Sequence, residues 1–433
     1  MDTFFNHISL LEDFYWSYIG WTLIVASGIY LTYISNGLQF RAIANFKENI
    51  INIYSHANTK QDGIHPFKLY FASVGGMVGL GNIVTISTAV MIGGPGAIFW
   101  ILIASFSGML LKYSEIYLGV KYRVQNENGG FDGGPMYFLQ KAFKPKCFAY
   151  GFAVLLCLYG VEISNFVIIV DRIEHSFELN RSLVIFVFLL VVIYSSIGGV
   201  SRLANICSVI MPFFMIGYIV FALYVISCNY QLLPNFFQVV ITSAFTGSAP
   251  IGGFVGSTMV IAAYLGISKT VYSGDIGIGY DSIMQSETKI VDPKMQATLS
   301  IYALVTDAFI CLLTTVMVGV TGAWYTLNDL QPSDIVAELL SNYIMHSDIF
   351  MTLLLFFAGY TTIIAYLAAG IKCATFMSPT YGKKLYFTYA ILAFIIFCNV
   401  SQTHAIIVMS LLSGLLALLN ICGILKLKHD IEF

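Results

Sequence analysis

The sequence predicts an all-α integral membrane protein with about eleven transmembrane helices. Of its 433 residues, 58% are hydrophobic and 10% are charged, whereas a soluble protein carries roughly 25% charged residues. This much apolar surface cannot be buried inside one water-soluble domain, so membrane lipid is an expected partner. The net charge of -2 leaves no basic excess, and we therefore expect no binding of nucleic acid.

The elements behind this prediction are apolar runs long enough to cross about 30 Å of hydrocarbon. They cover residues 14–35, 66–92, 94–120, 147–170, 182–200, 203–227, 251–288, 298–324, 349–372, 384–400 and 403–425. The first run follows Asp2, Glu12 and Asp13 with no lysine or arginine before it, which is the reverse of a cleaved signal peptide. We expect it to remain as an extra N-terminal helix, 14–35.

The basic residues predict how the chain is oriented. Most of the 21 lysines and arginines lie in alternate loops, and short cytoplasmic loops are enriched in these residues. This distribution puts the N-terminus outside and the C-terminus inside a bacterial-type cytoplasmic membrane. An odd number of spans follows from that placement.

Two of the apolar segments are interrupted by glycines, at 73–82 (SVGGMVGLGN) and at 273–279 (SGDIGIG). Each glycine costs a helix about 1 kcal/mol. Two glycines recur at the same separation: Gly79 and Gly81 in the first segment, Gly277 and Gly279 in the second. The alternative is that these glycines only allow close packing between helices.

The matched interruptions divide one membrane domain, 1–433, into two repeats, 66–228 and 236–425. With about five spans in each repeat, the second enters the membrane from the opposite side, which makes the repeat inverted. Interrupted helices at matching positions of two inverted halves indicate the binding site of a secondary transporter.

A broken membrane helix exposes amides and carbonyls whose valences must be filled. The amide end of a half-helix suits a carboxylate, and freed carbonyls suit a cation. An amino acid together with an alkali cation would satisfy both.

The chain resembles the alanine/glycine:cation symporters over most of its length. The matching segments are VGLGNI at 78–83, GGPGAIFW at 93–100, SEIYLGVKYR at 114–123, GGPMYFLQKAF at 133–143, TDAFICLLTT at 306–315, TGAW at 321–324, FFAGYTTIIAY at 356–366 and GIKC at 370–373. The resemblance implies the leucine-transporter fold. It also implies cation-coupled uptake of a small neutral amino acid such as alanine or glycine.

Three positions depart from the family pattern. Leu80 stands where the family usually has Thr, and the family's SNEAG is here Ser273 to Gly277, SGDIG. Ile371 replaces an acid in the family's GEKC. Two of these changes lie on the broken helices, so the resemblance leaves the identity of the amino acid open.

By the same resemblance, one sodium ion would be held by the backbone carbonyls of Gly75, Val78 and Ala358 and by the hydroxyls of Thr361 and Thr362. A shell of neutral oxygens suits a hard monovalent cation. The alternative is that the two hydroxyls only bond back to carbonyls of their own helix.

For the substrate, we expect the amides of Gly79, Leu80 and Gly81 to hold the carboxylate. Asn82 would orient this turn or contact a second cation.

Ser273, Gly274 and Asp275 would face the substrate's amino group, because a carboxylate inside a membrane is costly unless it meets a cation. The alternative role for Asp275 is a cap on the second half-helix. Glu162 is a further candidate substrate contact, since the family has a pocket-facing Gln near this position. If Glu162 faces the pocket, it would carry a proton or recognise a basic substrate; if not, it pairs with a hydroxyl and stays protonated. Lys112 and Glu115 are expected to form an ordinary ion pair on one helix face near the inner surface.

The main hypothesis is a sodium-coupled symporter that works by alternating access. The alternatives are a proton-coupled or substrate-shifted amino-acid carrier and a non-transporting amino-acid sensor. No sequence motif indicates an enzyme, so we expect no organic cofactor, only the coupling sodium ion, and we expect a monomer.

Overall fold

The apolar segments form a helical bundle, and the computed structural model describes residues 2–57, 62–126, 129–248, 256–327, 330–345 and 347–433. The N-terminal helices are α1 Asp2–Phe14, α2 Trp21–Ile34, α3 Leu38–Ala44, α4 Phe46–Ala57, α5 Pro66–Met77, α6 Ile86–Gly93, α7 Ala97–Lys121, α8 Pro135–Ala142, α9 Cys147–Tyr159, α10 Ile163–Phe177, α11 Arg181–Ser196 and α12 Gly199–Cys228. The C-terminal helices are α13 Leu233–Thr246, α14 Met259–Gly274, α15 Tyr280–Gln285, α16 Pro293–Val320, α17 Ala323–Thr326, α18 Pro332–Ser341, α19 Ser347–Met377, α20 Gly382–Phe397 and α21 Gln402–Lys426.

Six shorter elements complete the described chain: four helical turns and two strands. The π-helical turn Tyr15–Gly20 joins α1 to α2, and a second one, Gly81–Thr85, leads into α6. Single 3₁₀ turns lie at Tyr230–Leu232 and Lys428–Asp430. The strands β1 Val124–Gln125 and β2 Phe131–Asp132 form an antiparallel pair, so the prediction of an all-helical chain holds apart from this small hairpin.

Seven helical segments in the described part of the chain are long and apolar enough to cross a membrane, and the bent pair α5 and Gly81–Gly93 makes an eighth. The other predicted spans correspond to α11, to α14 with α15, and to α20. Helices α11 and α20 have 16 residues each, a rise of about 24 Å, which is shorter than the hydrocarbon layer. The total of about eleven spans and the inverted repeat therefore stay predictions, and residues 251–255 of the predicted span 251–288 lie outside the described residues.

The structure corrects the predicted elements in two places. The span expected over 147–170 is interrupted between α9 and α10, where Glu162 has a left-handed backbone with φ of 52°. Helices α3, α4, α8, α13 and α18 lie between predicted spans and were not predicted. All five carry polar residues among their apolar ones, so none forms a long apolar run.

The broken helices lie at the centre of the bundle. Helix α7 packs against α14, α15 and α16, and α5 packs against α12, α16 and α19. Apolar side chains on outer helices are exposed, including Phe186 on α11, Phe213 on α12 and Ile396 on α20. An apolar outer surface of this kind is suited to lipid.

Candidate binding site between two broken helices

The first predicted break is present where α5 ends at Met77. The chain resumes at Gly81 with its axis bent by 44°. The amide of Gly79 donates to Oδ1 of Asn82 at 3.0 Å, and Nδ2 of Asn82 donates to Oδ1 of Asp307 on α16 at 2.6 Å. Asn82 therefore satisfies a backbone donor that the break frees and ties the break to α16.

The second predicted break separates α14 from α15. Helix α14 ends at Gly274, and Asp275 follows with φ of 49°. Gly277 and Gly279 have φ of 72° and 104°, a region that glycine enters without the steric cost of a side chain. The glycine pattern in this segment thus reports a real interruption and not a packing contact alone.

Lys112 of α7 supplies the cation that faces Asp275. Its ammonium lies 2.9 Å from Oδ2 of Asp275 and 3.5 Å from Oδ2 of Asp281, with all three side chains fully buried. The ammonium also donates to the carbonyls of Gly274 and Asp275, at 3.0 Å each. This corrects the expectation that Gly274 and Asp275 face a substrate's amino group.

Asp275 also has the capping role that the sequence left open. Its Oδ2 accepts a hydrogen bond from the amide of Asp281 at 3.1 Å, at the start of α15. The expected ion pair of Lys112 with Glu115 is absent from the ion pairs of the described residues. Instead, the carboxylate of Glu115 accepts from the Ser282 amide and the Asn420 side chain. The sequence signal for this buried pairing is a lysine in the middle of the apolar helix α7, although the sequence predicts an ion pair near the inner surface.

A small cavity lies between the two breaks, with room for about one water molecule. Its lining residues come from both broken helices, from α10 and from α19: Gly76, Met77, Gly79, Gly81, Glu162, Asn165, Tyr272, Ser273, Thr362 and Tyr366. Leu80 is not among them, because its side chain lies against Gly359 of α19. The sequence did not single out Asn165, Tyr272 or Tyr366, whose residue types are ordinary for a membrane helix.

Glu162 brings a carboxylate to this cavity. It is 1% exposed, and its Oε2 accepts from Nδ2 of Asn165 at 2.9 Å and from the Tyr272 hydroxyl at 3.1 Å. Among the described residues, no lysine, arginine or histidine forms an ion pair with it. A buried carboxylate with only neutral donors is suited to receive a cation from a ligand.

The oxygens expected to bind sodium lie where α5 meets α19. The Thr362 hydroxyl lies 3.2 Å from the carbonyl oxygen of Gly75 and 3.1 Å from that of Ala358. The Thr361 hydroxyl lies 2.9 Å from the same Ala358 oxygen. Val78, the residue after α5, is also buried. Both hydroxyls bond to a carbonyl of their own helix, which was the alternative interpretation of these residues. The Thr362 hydroxyl also contacts the Gly75 carbonyl, so neutral oxygens of two helices lie close together.

Ion pairs also join separate helices of the bundle. Helix α18 packs against the turn Gly81–Thr85, and Arg172 of α10 holds Asp334 of α18 at 2.9 Å and Asp348 of α19 at 2.6 Å. Lys372 of α19 joins Asp132 to Glu287. These ion pairs link helices that are far apart in the chain, so sequence spacing could not reveal them.

Two interrupted helices that face one closed cavity inside a bundle of apolar helices define a secondary transporter and not an enzyme. The chain belongs to the sodium:alanine symporter family, whose model matches residues 1–432. It is therefore a multi-pass membrane protein of a family that transports amino acids with a cation.

Relatives of known name agree with this assignment. The sodium/alanine symporter AgcS of Methanococcus maripaludis is 26% identical, over 98% of this chain and 95% of its own. The probable sodium/glutamine symporter GlnT of Bacillus subtilis is 28% identical, over 99% of this chain and 89% of its own. A manganese transporter from Eremococcus coleocola has a similar structure with a TM-score of 0.55 and 14% identity, covering 84% of this chain and 80% of its own. That structural likeness concerns the fold alone, which is like that of the leucine transporter.

Proposed function

We propose that the protein is a sodium-coupled symporter that imports a small neutral amino acid, such as alanine or glycine, by alternating access. The observation that carries this proposal is the meeting of both helix breaks, one carboxylate and a group of neutral oxygens around a single small cavity. The printed names of AgcS, a sodium/alanine symporter, and GlnT, a probable sodium/glutamine symporter, support the ion and the substrate class.

The substrate would lie between the first break and Glu162. Its ammonium would meet the Glu162 carboxylate, while its carboxylate would meet the backbone of Gly79, Leu80 and Gly81 at the first break. Asn82 orients that turn through the Gly79 amide. The cavity, bounded by Tyr272 and Tyr366, has room for about one water molecule, so an amino acid would enter it only when the broken helices move apart during alternating access.

Sodium would bind at the carbonyls of Gly75, Val78 and Ala358 and the hydroxyls of Thr361 and Thr362. These groups carry no net charge, so they match a monovalent ion better than a divalent one, which requires carboxylates to balance its charge. Among the described residues, no group of three or more His, Cys, Asp or Glu side chains could hold a metal ion.

One sodium ion supplies enough free energy for concentrative uptake. Moving inward across about 100 mV gains roughly 2.3 kcal/mol, and a tenfold concentration gradient adds about 1.4 kcal/mol. The total of about 3.7 kcal/mol supports roughly 500-fold accumulation of one neutral solute. A single coupling site is therefore sufficient.

Proton coupling is a second candidate, and Glu162 is the observation that favours it. A buried carboxylate whose described partners are neutral can take up a proton as well as a substrate ammonium.

We further propose an N-terminus outside and a C-terminus inside the cytoplasmic membrane, a monomer, and a single domain with repeats 66–228 and 236–425.

The test is uptake of radiolabelled amino acids into proteoliposomes that contain the purified protein. Inward sodium and proton gradients are imposed separately at matched membrane potential. Accumulation driven by sodium alone supports the proposal, and accumulation driven by protons alone transfers the coupling role to Glu162. Binding without accumulation under either gradient would indicate a sensor.

A further inference from the structure

The second break contains a cation site that the chain fills with its own side chain. Four oxygens of this break surround the Lys112 ammonium: the carbonyls of Gly274 and Asp275 and one carboxylate oxygen each of Asp275 and Asp281. Carbonyls freed at the C-terminal end of a half-helix and nearby carboxylates are the groups that hold cations in broken membrane helices. With two carbonyls and two carboxylates, the described cage thus has the composition of a cation site, and the chain places one monovalent cation, the Lys112 ammonium, in it.

The cation and its oxygens belong to different parts of the bundle. Lys112 extends from α7, a continuous helix. The four oxygens belong to the second broken helix: Gly274 ends α14, Asp275 follows it, and Asp281 lies in α15. A buried ammonium is costly unless its charge and its donors are matched. Here three of the four oxygens lie within 3.0 Å, so the site is built around the charge.

The cage is one hydrogen bond away from the cavity between the breaks. The hydroxyl of Tyr366 donates to Oδ1 of Asp275 at 2.9 Å, and Tyr366 also lines the cavity. Glu115 lies outside the cage, with its oxygens on Ser282 and Asn420. A change in the charge of the cage would therefore reach the cavity through Tyr366.

We propose that Lys112 is a tethered cation that occupies the position of a second coupling ion at the second break. The protein then needs one mobile sodium ion, at Thr361 and Thr362, and the second broken helix stays bound to α7. The one-ion stoichiometry rests on the proposed sodium symport. The cage itself does not, because cation binding can be measured without transport.

The test removes the tethered cation and asks whether a free one replaces it. Lys112→Ala leaves the four oxygens, and with them the carboxylates of Asp275 and Asp281, without their cation, so it should gain a second saturable cation site. Thermal unfolding is followed while sodium or methylammonium replaces choline at constant ionic strength. At ten times the dissociation constant, the extra site should raise the unfolding midpoint of this 433-residue chain by about 1.5 °C.

Uptake gives a second readout. For Lys112→Ala, the Hill coefficient for sodium should rise from about one to about two, since it is limited by the number of sites. The control is Lys112→Ala combined with Asp275→Asn, which removes the nearer of the two cage carboxylates and should weaken or abolish the extra dependence on sodium and methylammonium.

The outcomes separate this proposal from the transport proposal. A Lys112→Ala protein that folds only in sodium or methylammonium supports the tethered cation. A cation titration identical to that of the wild type, or failure to fold in every cation, overturns it. Absence of sodium-driven uptake by the wild type would overturn the transport proposal and leave the binding result standing.

Discussion

Gly79→Ala tests whether the first break and the sodium site share one contact. A Cβ atom at this position would lie 2.3 Å from Oγ1 of Thr362, far inside van der Waals contact. Either the break shifts or the Thr362 hydroxyl rotates away from the carbonyls of Gly75 and Ala358. We therefore expect weaker sodium binding, although the substitution adds only a methyl group.

The size of the effect follows from the contacts that are lost. Displacing one hydroxyl from its oxygen neighbours costs about 1–2 kcal/mol, which corresponds to roughly a 5–30-fold rise in the sodium concentration for half-maximal uptake. The assay is sodium-dependent uptake, in proteoliposomes, of the amino acid that the wild type accumulates. Gly217→Ala on α12 is the matched control, because a Cβ there meets no atom within 4 Å.

A double variant separates the clash from other effects of the methyl group. In Gly79→Ala combined with Thr362→Ala, the colliding oxygen is gone, so the sodium dependence should equal that of Thr362→Ala alone. Effects that add would place the two residues in independent roles. Unchanged sodium dependence in Gly79→Ala would refute the assignment of Thr362 to the site.

Four further substitutions test the remaining residues of the site and the ion pair of α18. Thr361→Ala should raise the half-maximal sodium concentration about tenfold; an unchanged value removes this hydroxyl from the ion site. Glu162→Gln should raise the half-maximal substrate concentration at least about tenfold at saturating sodium, because charge-assisted hydrogen bonds are roughly twice as strong as neutral ones. Tyr272→Phe, which removes only a neutral donor to Glu162, should have a smaller effect. An unchanged substrate dependence in Glu162→Gln would contradict the ammonium contact. Arg172→Gln should release α18 from α10. The probe is a cysteine at position 333 of α18 (Ser333→Cys) in a cysteine-free background, which should react faster with a membrane-impermeant maleimide when Arg172 is replaced. Equal rates with and without Arg172 would show that this residue does not hold α18 in place.

The two breaks could be predicted because their signal is local. Each glycine costs a helix about 1 kcal/mol, so clustered glycines indicate either close packing or a break, and the positive φ angles of Gly277 and Gly279 show a break. The break before Ile163 was missed because its residue with positive φ is Glu162, and no glycine pattern marks it beyond Gly160. Where strain falls on a residue other than glycine, sequence offers little warning.

The partner of Asp275 could not be predicted for a different reason. The sequence indicated correctly that a carboxylate inside the bundle needs a cation, and the structure supplies one. Its source, Lys112, is more than 160 positions away along the chain, and its position in the sequence favoured a surface location. Pairing between distant residues depends on which helices become neighbours, and no local pattern carries that information.

Helix α19 connects the two halves of the site. Thr362 and Tyr366 are four residues apart on this helix, so they lie on one face. Thr362 contacts the first break through the Gly75 carbonyl, while Tyr366 contacts the second through Asp275. A ligand that displaces Thr362 therefore acts on the first broken helix, and a ligand that displaces Tyr366 acts on the second. Both act through the same helix, α19. Such coupling is reciprocal. A sodium ion that orders the Thr362 end would raise the affinity for substrate at the Tyr366 end by a certain factor, and bound substrate would raise the affinity for sodium by the same factor.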